Sequence, residues 1–256
     1  MPRGHPRGTS DLIHPEKITG ERCAGKLART VREGAVGKGP GPRAPRRRPT
    51  SLRRWRRQAL DLEFHDRLRG RVRISEGRAA APTAGIIDSQ SVRAASSVPA
   101  ATRGYDGGKK VPGRKRHVIT DCLGLLLVVA VTAANVGDRE AAAPLLERAR
   151  ASHRSLRLIW ADGGYTGMLV DWAGEKLHLV LEIVKRSDEP RFVVLPRRWV
   201  VERTLSRLMR SRRLARGYET LPATSKSMIL WSMTMLMSRR LARRTHPATT
   251  TVSLAA

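Results

Sequence analysis

Apolar and polar positions in this chain alternate with two different periods, and after residue 85 the period switches repeatedly. GIIDSQSV is a short apolar strand that closes on Asp88. RHVITDCLGLLLVVAVTAANV (116–136) reads as two strands joined at Asp121 to Gly124, a hairpin. DREAAAPLLERARAS (138–152) has helical spacing. Asp138 is placed to cap that helix, and Pro144 either kinks it or marks its start. LRLIWADGGY (156–165) is a buried strand that closes on Asp162. GMLVDWAGEKLH (167–178) follows as a helix and LVLEIVKR (179–186) as a strand. PRRWVVERTLSRLMRSRRLARGYE (196–219) predicts a long basic helix opened by Pro196. TSKSMILWSMTMLMSRRLARR (224–244) predicts a last helix whose methionines suit core packing. The order strand, hairpin, helix, strand, helix, strand, helix, helix predicts an α/β domain, a mixed sheet covered by helices.

Upstream of residue 85 the pattern is weaker. SLRRWRRQALDLEFHDRLRGRVR (51–73) spaces Trp55, Leu60, Leu62, Phe64, Leu68 and Val72 among charges, which predicts one or two basic helices before a linker, EGRAAAPTAG. Residues 1–50 hold GAVGKGPGPRAPRRRPT, a Gly, Pro and Arg mixture with almost nothing to bury, and such composition favours disorder or a phosphate-binding tail.

Charge then narrows the partners. The 256 residues carry 50 Lys plus Arg against 22 Asp plus Glu, a formal net charge of +28. An excess of that size points to a polyanion, with nucleic acid first and an anionic membrane second. Cys23 and Cys122 sit in no CxxC or Cys/His cluster, so zinc and a disulfide framework are unsupported. The longest apolar run, LGLLLVVAVTAA (123–134), is too short to span a bilayer. A soluble cytoplasmic protein is expected, with DNA rather than membrane as its partner.

Three carboxylates are placed for chemistry. Asp88 and Asp162 each end an apolar strand, and ligands of open α/β sheets gather at the carboxyl ends of strands. A buried carboxylate there needs compensation from a basic side chain, a turn amide or a metal ion. Glu202 lies beside the Val201, Leu205, Leu208 stripe of its helix, at the edge of the face that packs on the sheet. Oxygen donors without Cys or His companions suit Mg2+ or Mn2+. Two such ions about 4 Å apart can activate an attacking oxygen and stabilise a leaving one at a phosphodiester. The bland alternatives are turn or cap roles for the aspartates and a surface ion pair between Glu202 and Arg198. Lys109, Lys110, Arg114, Lys115 and Arg116, in the Gly- and Lys-rich loop ATRGYDGGKKVPGRKRH (101–117), are expected to contact phosphates. His117 is expected to be structural.

IIDSQSV, RGYDGGKKVPGRKRHVITDCLGLLL, WADGGYTG and PRRWVVERTLSRLMRSRRLARGYE together resemble bacterial insertion-sequence transposases, in the group called insertion sequence family five. The resemblance covers roughly residues 51 to 243. It implies a DDE enzyme with a ribonuclease H-like mixed sheet flanked by helices and a basic, partly disordered N-terminal region. By the same resemblance Asp88, Asp162 and Glu202 are the catalytic, metal-holding acids and Arg198 is the motif arginine that contacts DNA. Cleavage and strand transfer would use two Mg2+ or Mn2+ ions. The partners would be double-stranded DNA, both terminal inverted repeats and target, bound by a homodimer in a synaptic complex near the nucleoid. Two motif positions depart from the group: Leu195 stands where a tyrosine is usual, and Met209, followed by Arg210, where a basic residue is usual.

The resemblance predicts a remnant of a helical DNA-binding region at 51–80, a catalytic domain at 84–244 and a disordered tail at 245–256. Residues 1–50 do not resemble the beginning of such a protein, which points to a truncated or frame-shifted N-terminus. The competing readings are a catalytically inactive DNA-binding remnant and a structure-selective nuclease on the same core.

Overall fold

The computed structural model describes residues 59–184 and 198–245. The expectations for residues 1–50 and 246–256, and for Trp55, Cys23, Leu195 and Pro196, lie outside the described residues, as does the side chain of Arg198. In chain order the elements are α1 (Leu60–Ser75), β1 (Ala84–Arg93), β2 (Gly104–Asp106), β3 (Val111–Asp121), β4 (Leu126–Ala133), α2 (Asp138–Ser152), β5 (Leu158–Ala161), α3 (Met168–Leu177), β6 (Val180–Ile183), α4 (Arg198–Met209) and α5 (Pro222–Thr245).

The strands form one six-stranded mixed sheet flanked by helices. Strand β1 lies at its centre, antiparallel to β3 on one side and parallel to β5 on the other, with β6 parallel beyond β5. The outer edge of β3 is shared: Val111–Gly113 pair with β2 and Arg114–Thr120 with β4. Period-two alternation divides the apolar side chains between two layers. Ile87, Ile119, Ile159, Ala161 and Leu181 meet α2 and α3 through Leu145, Leu146, Ala149, Leu169 and Ala173. Ile86, Val118, Val129 and Trp160 meet α4 and α5 through Val200, Val201, Leu205, Leu208, Ile229 and Met233. The sheet is therefore covered on both faces, and the methionine-rich last helix is core, as its pattern predicts.

Several boundaries differ from the sequence reading. The expected 101–117 loop is mostly strand: β2 and β3 form a hairpin whose turn is held by Asp106 Oδ1, which accepts the Lys109 amide at 3.0 Å. Asp88 does not close its strand, because β1 continues to Arg93 on the support of β3. Asp138 is not the cap of α2. Gly137 holds that position without a side-chain bond, and Asp138 is the first helical residue, with Pro144 inside the helix. Helix α4 stops at Met209 rather than near 219, and residues 210–221 turn back toward β3. Gly124, in the β3–β4 turn, has φ +74°, and a Cβ there would stand 2.7 Å from the Thr204 hydroxyl of α4. That hydroxyl donates to the Gly124 carbonyl at 2.9 Å, so the turn seats the helix.

Helix α1 packs on α5 and into the same body. Leu68 and Val72 meet Leu125 and Met237 in a small third cluster. Its inward stripe is unusually polar: Asp61, His65, Arg69 and Arg73 are all buried. Arg73 reaches across to Asp121, a fully buried carboxylate at the β3–β4 turn that also accepts the Leu123 and Leu125 amides at 2.9 and 2.8 Å. Among the described residues no helix is long and apolar enough to cross a membrane.

Candidate active site

Strands β1 and β5 bring two of the three predicted acids side by side. Their parallel register pairs Ile86 with Trp160, and Asp88 and Asp162 each lie two residues further on. Two residues is one strand period, so both carboxylates project on the side of Ile86 and Trp160, the α4 face. The antiparallel partner of Asp88 is Val118, which belongs to that same face. Parallel neighbours stand about 4.8 Å apart, so the carboxylates share one locality where β1 outruns β5. Both are half-buried. Asp88 Oδ1 accepts the Ser89 amide at 2.7 Å, and Asp162 Oδ1 accepts the Gly164 amide at 2.9 Å. A turn amide therefore supplies part of the compensation that Asp162 requires, and it orders the short helical turn Gly163–Tyr165.

Glu202 projects from α4 beside buried Val201 and Leu205, on a helix packed against β1, and is itself exposed. Among the described residues, however, no three His, Cys, Asp or Glu side chains form a group able to hold a metal ion. The aspartates are neighbours by register, and Glu202 lies on the helix that packs on their side of the sheet.

The basic residues divide sharply. Lys109 and Lys110 are exposed in the β2–β3 turn, and Lys109 Nζ donates to the Ser89 carbonyl at 3.2 Å, one residue from Asp88. Arg114, Lys115 and Arg116 are buried, which corrects their expected role as phosphate contacts. They lie inside β3, and the alternation sends them to opposite faces. Arg114 Nη1 donates to the Glu219 carbonyl at 2.6 Å and Arg116 Nη2 to the Leu214 carbonyl at 2.7 Å, which ties the segment after α4 to the sheet. Burial pushes the Arg116 guanidinium down to about 10. On the other face Lys115 Nζ pairs with Asp138 at 3.1 Å and Asp106 at 3.5 Å and donates to the Val136 carbonyl. Burial alone would raise the Asp106 carboxyl. The Ser91 hydroxyl, the Lys109 amide and the two ammonium groups overcome it and hold Asp106 at about 2.

Two further residues contact this locality without a signal in the sequence, Tyr165 and Ser89. Tyr165 is buried in the cluster under α2 and α3, across the sheet from the face the aspartates share. Its phenol is made a much weaker acid, first by burial and then by the Asp138, Asp88 and Asp162 charges. The GGY that follows Asp162 contains it, but only the glycines read as a turn signal. Ser89 presents its carbonyl to Lys109 and its hydroxyl to the same ammonium at 3.4 Å.

His117 is structural, as expected. Its Nε2 lies 2.9 Å from the Thr132 hydroxyl, and burial lowers it to about 4 although Asp138 pulls the other way. The unfolded chain therefore binds this proton more readily than the folded one. Stability is complete above the ordinary value of 6.5 and is lost as pH falls toward 4. We expect this residue to account for about 2–3 kcal/mol of that loss, with His65 and His153, also lowered by burial, adding in the same direction. Urea titrations across pH 7 to 4 check this, since His117→Gln should flatten the decline and an unchanged slope would refute it.

A family model described as transposase DDE domain matches residues 79–237, more than half of the chain. The chain belongs to the transposase DDE domain family. A protein of Burkholderia cepacia named as a transposase for insertion sequence element IS402 is 28% identical to it over 219 residues, covering 82% of this chain and 84% of that one. A solved structure, the Mos1 strand transfer complex, aligns at 12% identity with a TM-score of 0.27, covering 83% of this chain and 66% of that one, too loose a superposition to bear on the fold. Within the matched DDE domain, Asp88 and Asp162 stand at its central pair of parallel strands and Glu202 on the helix that covers them.

Proposed function

We propose that this chain is the transposase of an insertion sequence of family five, which binds the element ends and carries out metal-dependent DNA cleavage and strand transfer. The observation that supports the reading most is the register of β1 and β5, which sets Asp88 beside Asp162 in a chain of the DDE family. The donor chemistry fits a hard divalent cation: two half-buried carboxylates with no sulfur or imidazole between them. Asp88 and Asp162 would hold Mg2+ or Mn2+, with Glu202 as the third ligand from α4. The ions supply charge neutralisation at the attacking and leaving oxygens of a phosphodiester.

The chain's own residues do the rest. The Gly164 amide fixes the rotamer of Asp162, and the Ser89 amide fixes that of Asp88. Lys109 and Lys110 place positive charge beside the pair, where DNA phosphates approach. Arg198 opens the helix that carries Glu202 and is the remaining candidate for a backbone contact. Element-end repeats and target DNA are the expected partners, a homodimer the expected assembly and the nucleoid the expected location.

That the described residues form no group of three metal-holding side chains favours a second reading, a DNA-binding protein without catalytic activity. One assay separates the readings: a labelled duplex carrying the element ends is incubated with the protein and Mg2+ or Mn2+. Joined products mark a transposase, nicks alone a nuclease, and shifted but uncut DNA a binder. Affinity should also fall steeply with salt, as release of condensed counterions requires, with more than tenfold loss between 50 and 200 mM for several phosphate contacts. A flat titration would contradict phosphate-dominated binding.

A further inference from the structure

The second half of α4 and the middle of α5 enclose a surface cavity of about 340 Å³, on a part of the molecule the acids do not occupy. Arg207, Arg210 and Arg239 line it, with Ser211 and Ser232 between them and Met235 on its wall. No carboxylate is among the described lining residues. Three guanidinium groups around one hollow repel one another, so the arrangement is costly unless an anion enters it.

A second observation points the same way. Arg207 Nη1 is buried without a hydrogen-bond partner, and so is Arg203 Nε one turn earlier on α4. Buried donors of charged groups are rarely left unmade unless a ligand or solvent completes them. The neighbouring cations feel the crowding. Arg203 is weakened as a base first by burial and then by Arg207, and Arg240 by burial, Arg207 and Arg203, with Glu76 and Asp121 only partly offsetting it. Arg203 lies over the Trp199 ring at 4.2 Å, a partner that leaves its positive charge in place.

We propose that this cavity is a binding site for a backbone phosphate of DNA, held by the guanidinium groups of Arg207, Arg210 and Arg239 with the Ser211 and Ser232 hydroxyls as further donors. The proposal rests on the reading of the chain as a DNA-acting transposase and adds where the strand lies. Arginine suits the task, because its planar fork matches phosphate oxygens in pairs. The apolar wall of Met235 and Leu236 gives a sugar a surface to rest on. Along α4, Arg207 lies five residues beyond Glu202, about 7.5 Å of helix rise. Five residues also turn the helix by about 140°, so the cavity opens on a different side of α4 from Glu202. The strand would cross α4 on its way to the acids.

Arg210 and Arg239 are exposed, so replacing them leaves the core alone. The test compares wild type, Arg210→Ala with Arg239→Ala, and a control of equal charge loss at exposed Arg154 and Lys176, Arg154→Ala with Lys176→Ala. Each is titrated with a fluorescein-labelled 40-base-pair duplex from 50 to 300 mM KCl, and thermal unfolding verifies the fold. We expect the cavity variant to bind about tenfold or more weakly at 100 mM and its log–log salt slope to shrink by about two, against a much smaller change in the control. Wild-type affinity and slope in the cavity variant, or an equal loss in the control, would overturn the site while leaving the transposase reading intact. Failure of the wild type itself to bind would overturn both.

Discussion

Asp162→Asn is expected to abolish strand cleavage, by about a thousandfold or more, while the protein stays folded and keeps its affinity for DNA. The substitution keeps the shape of the side chain and the oxygen that accepts the Gly164 amide. The helical turn Gly163–Tyr165 and the burial of Tyr165 are therefore preserved. What disappears is one negative charge from a pair that the β1–β5 register holds at neighbouring positions. That charge is the property a divalent cation needs, and an amide replaces it poorly. Because Lys109 and Lys110 are untouched, the attraction for phosphates stays or rises slightly. Cleavage of an end-labelled duplex in Mg2+, run beside a gel-shift titration, reads both quantities. A variant that cuts at the wild-type rate would remove Asp162 from the chemistry.

The largest expected effect on stability is at Arg73. Arg73→Leu should cost about 3–5 kcal/mol, because it leaves the fully buried Asp121 carboxylate without its cation. The Leu123 and Leu125 amides remain, but two neutral donors do not replace a guanidinium in a dry site. The guanidinium also donates from Nε to the Ala79 carbonyl at 2.8 Å, so the chain leaving α1 loses an anchor as well. Adding Asp121→Asn to Arg73→Leu should recover part of the loss, since the uncompensated charge goes with it. Urea unfolding of the single and double variants decides the matter. A single variant within about 1 kcal/mol of wild type would show that water or another cation reaches Asp121.

The catalytic half of the fold was legible where side chains obey a period. Apolar runs such as LIWA and LGLLLVVAV carry their strands on their faces, and the Val201, Leu205, Leu208 stripe placed Glu202 at the edge of its packed surface. The neighbouring positions of Asp88 and Asp162 required one further assumption, that their strands pair, and the parallel register bears it out. The approach of Glu202 was not legible, because spacing along a chain says nothing about the distance between a helix and a strand. Charge was the main source of error. Arg114, Lys115 and Arg116 read as phosphate contacts, yet they occupy the middle of β3, where both faces are covered and each cation finds carbonyls or carboxylates of the fold. Three buried cations in succession break the rule that hydrophobic residues mark the interior. The period of VITD continued upstream is the one signal that places them in a strand. Helix α1 misleads in the same way: Leu60 and Phe64 are exposed, while Asp61, His65, Arg69 and Arg73 face inward.

That inversion decides what can be cut from this protein. The family match begins at residue 79, after α1 has ended. A fragment starting there would keep every candidate acid and still lose the clamp on the β3–β4 bend, since Arg73 grips it from one side and Thr204 rests on it from the other. With one jaw gone, the support under the glutamate-bearing helix loosens and an oily slot opens over Leu125 and Met237. A fragment expected to hold itself together therefore starts with α1, some twenty residues before the family match begins.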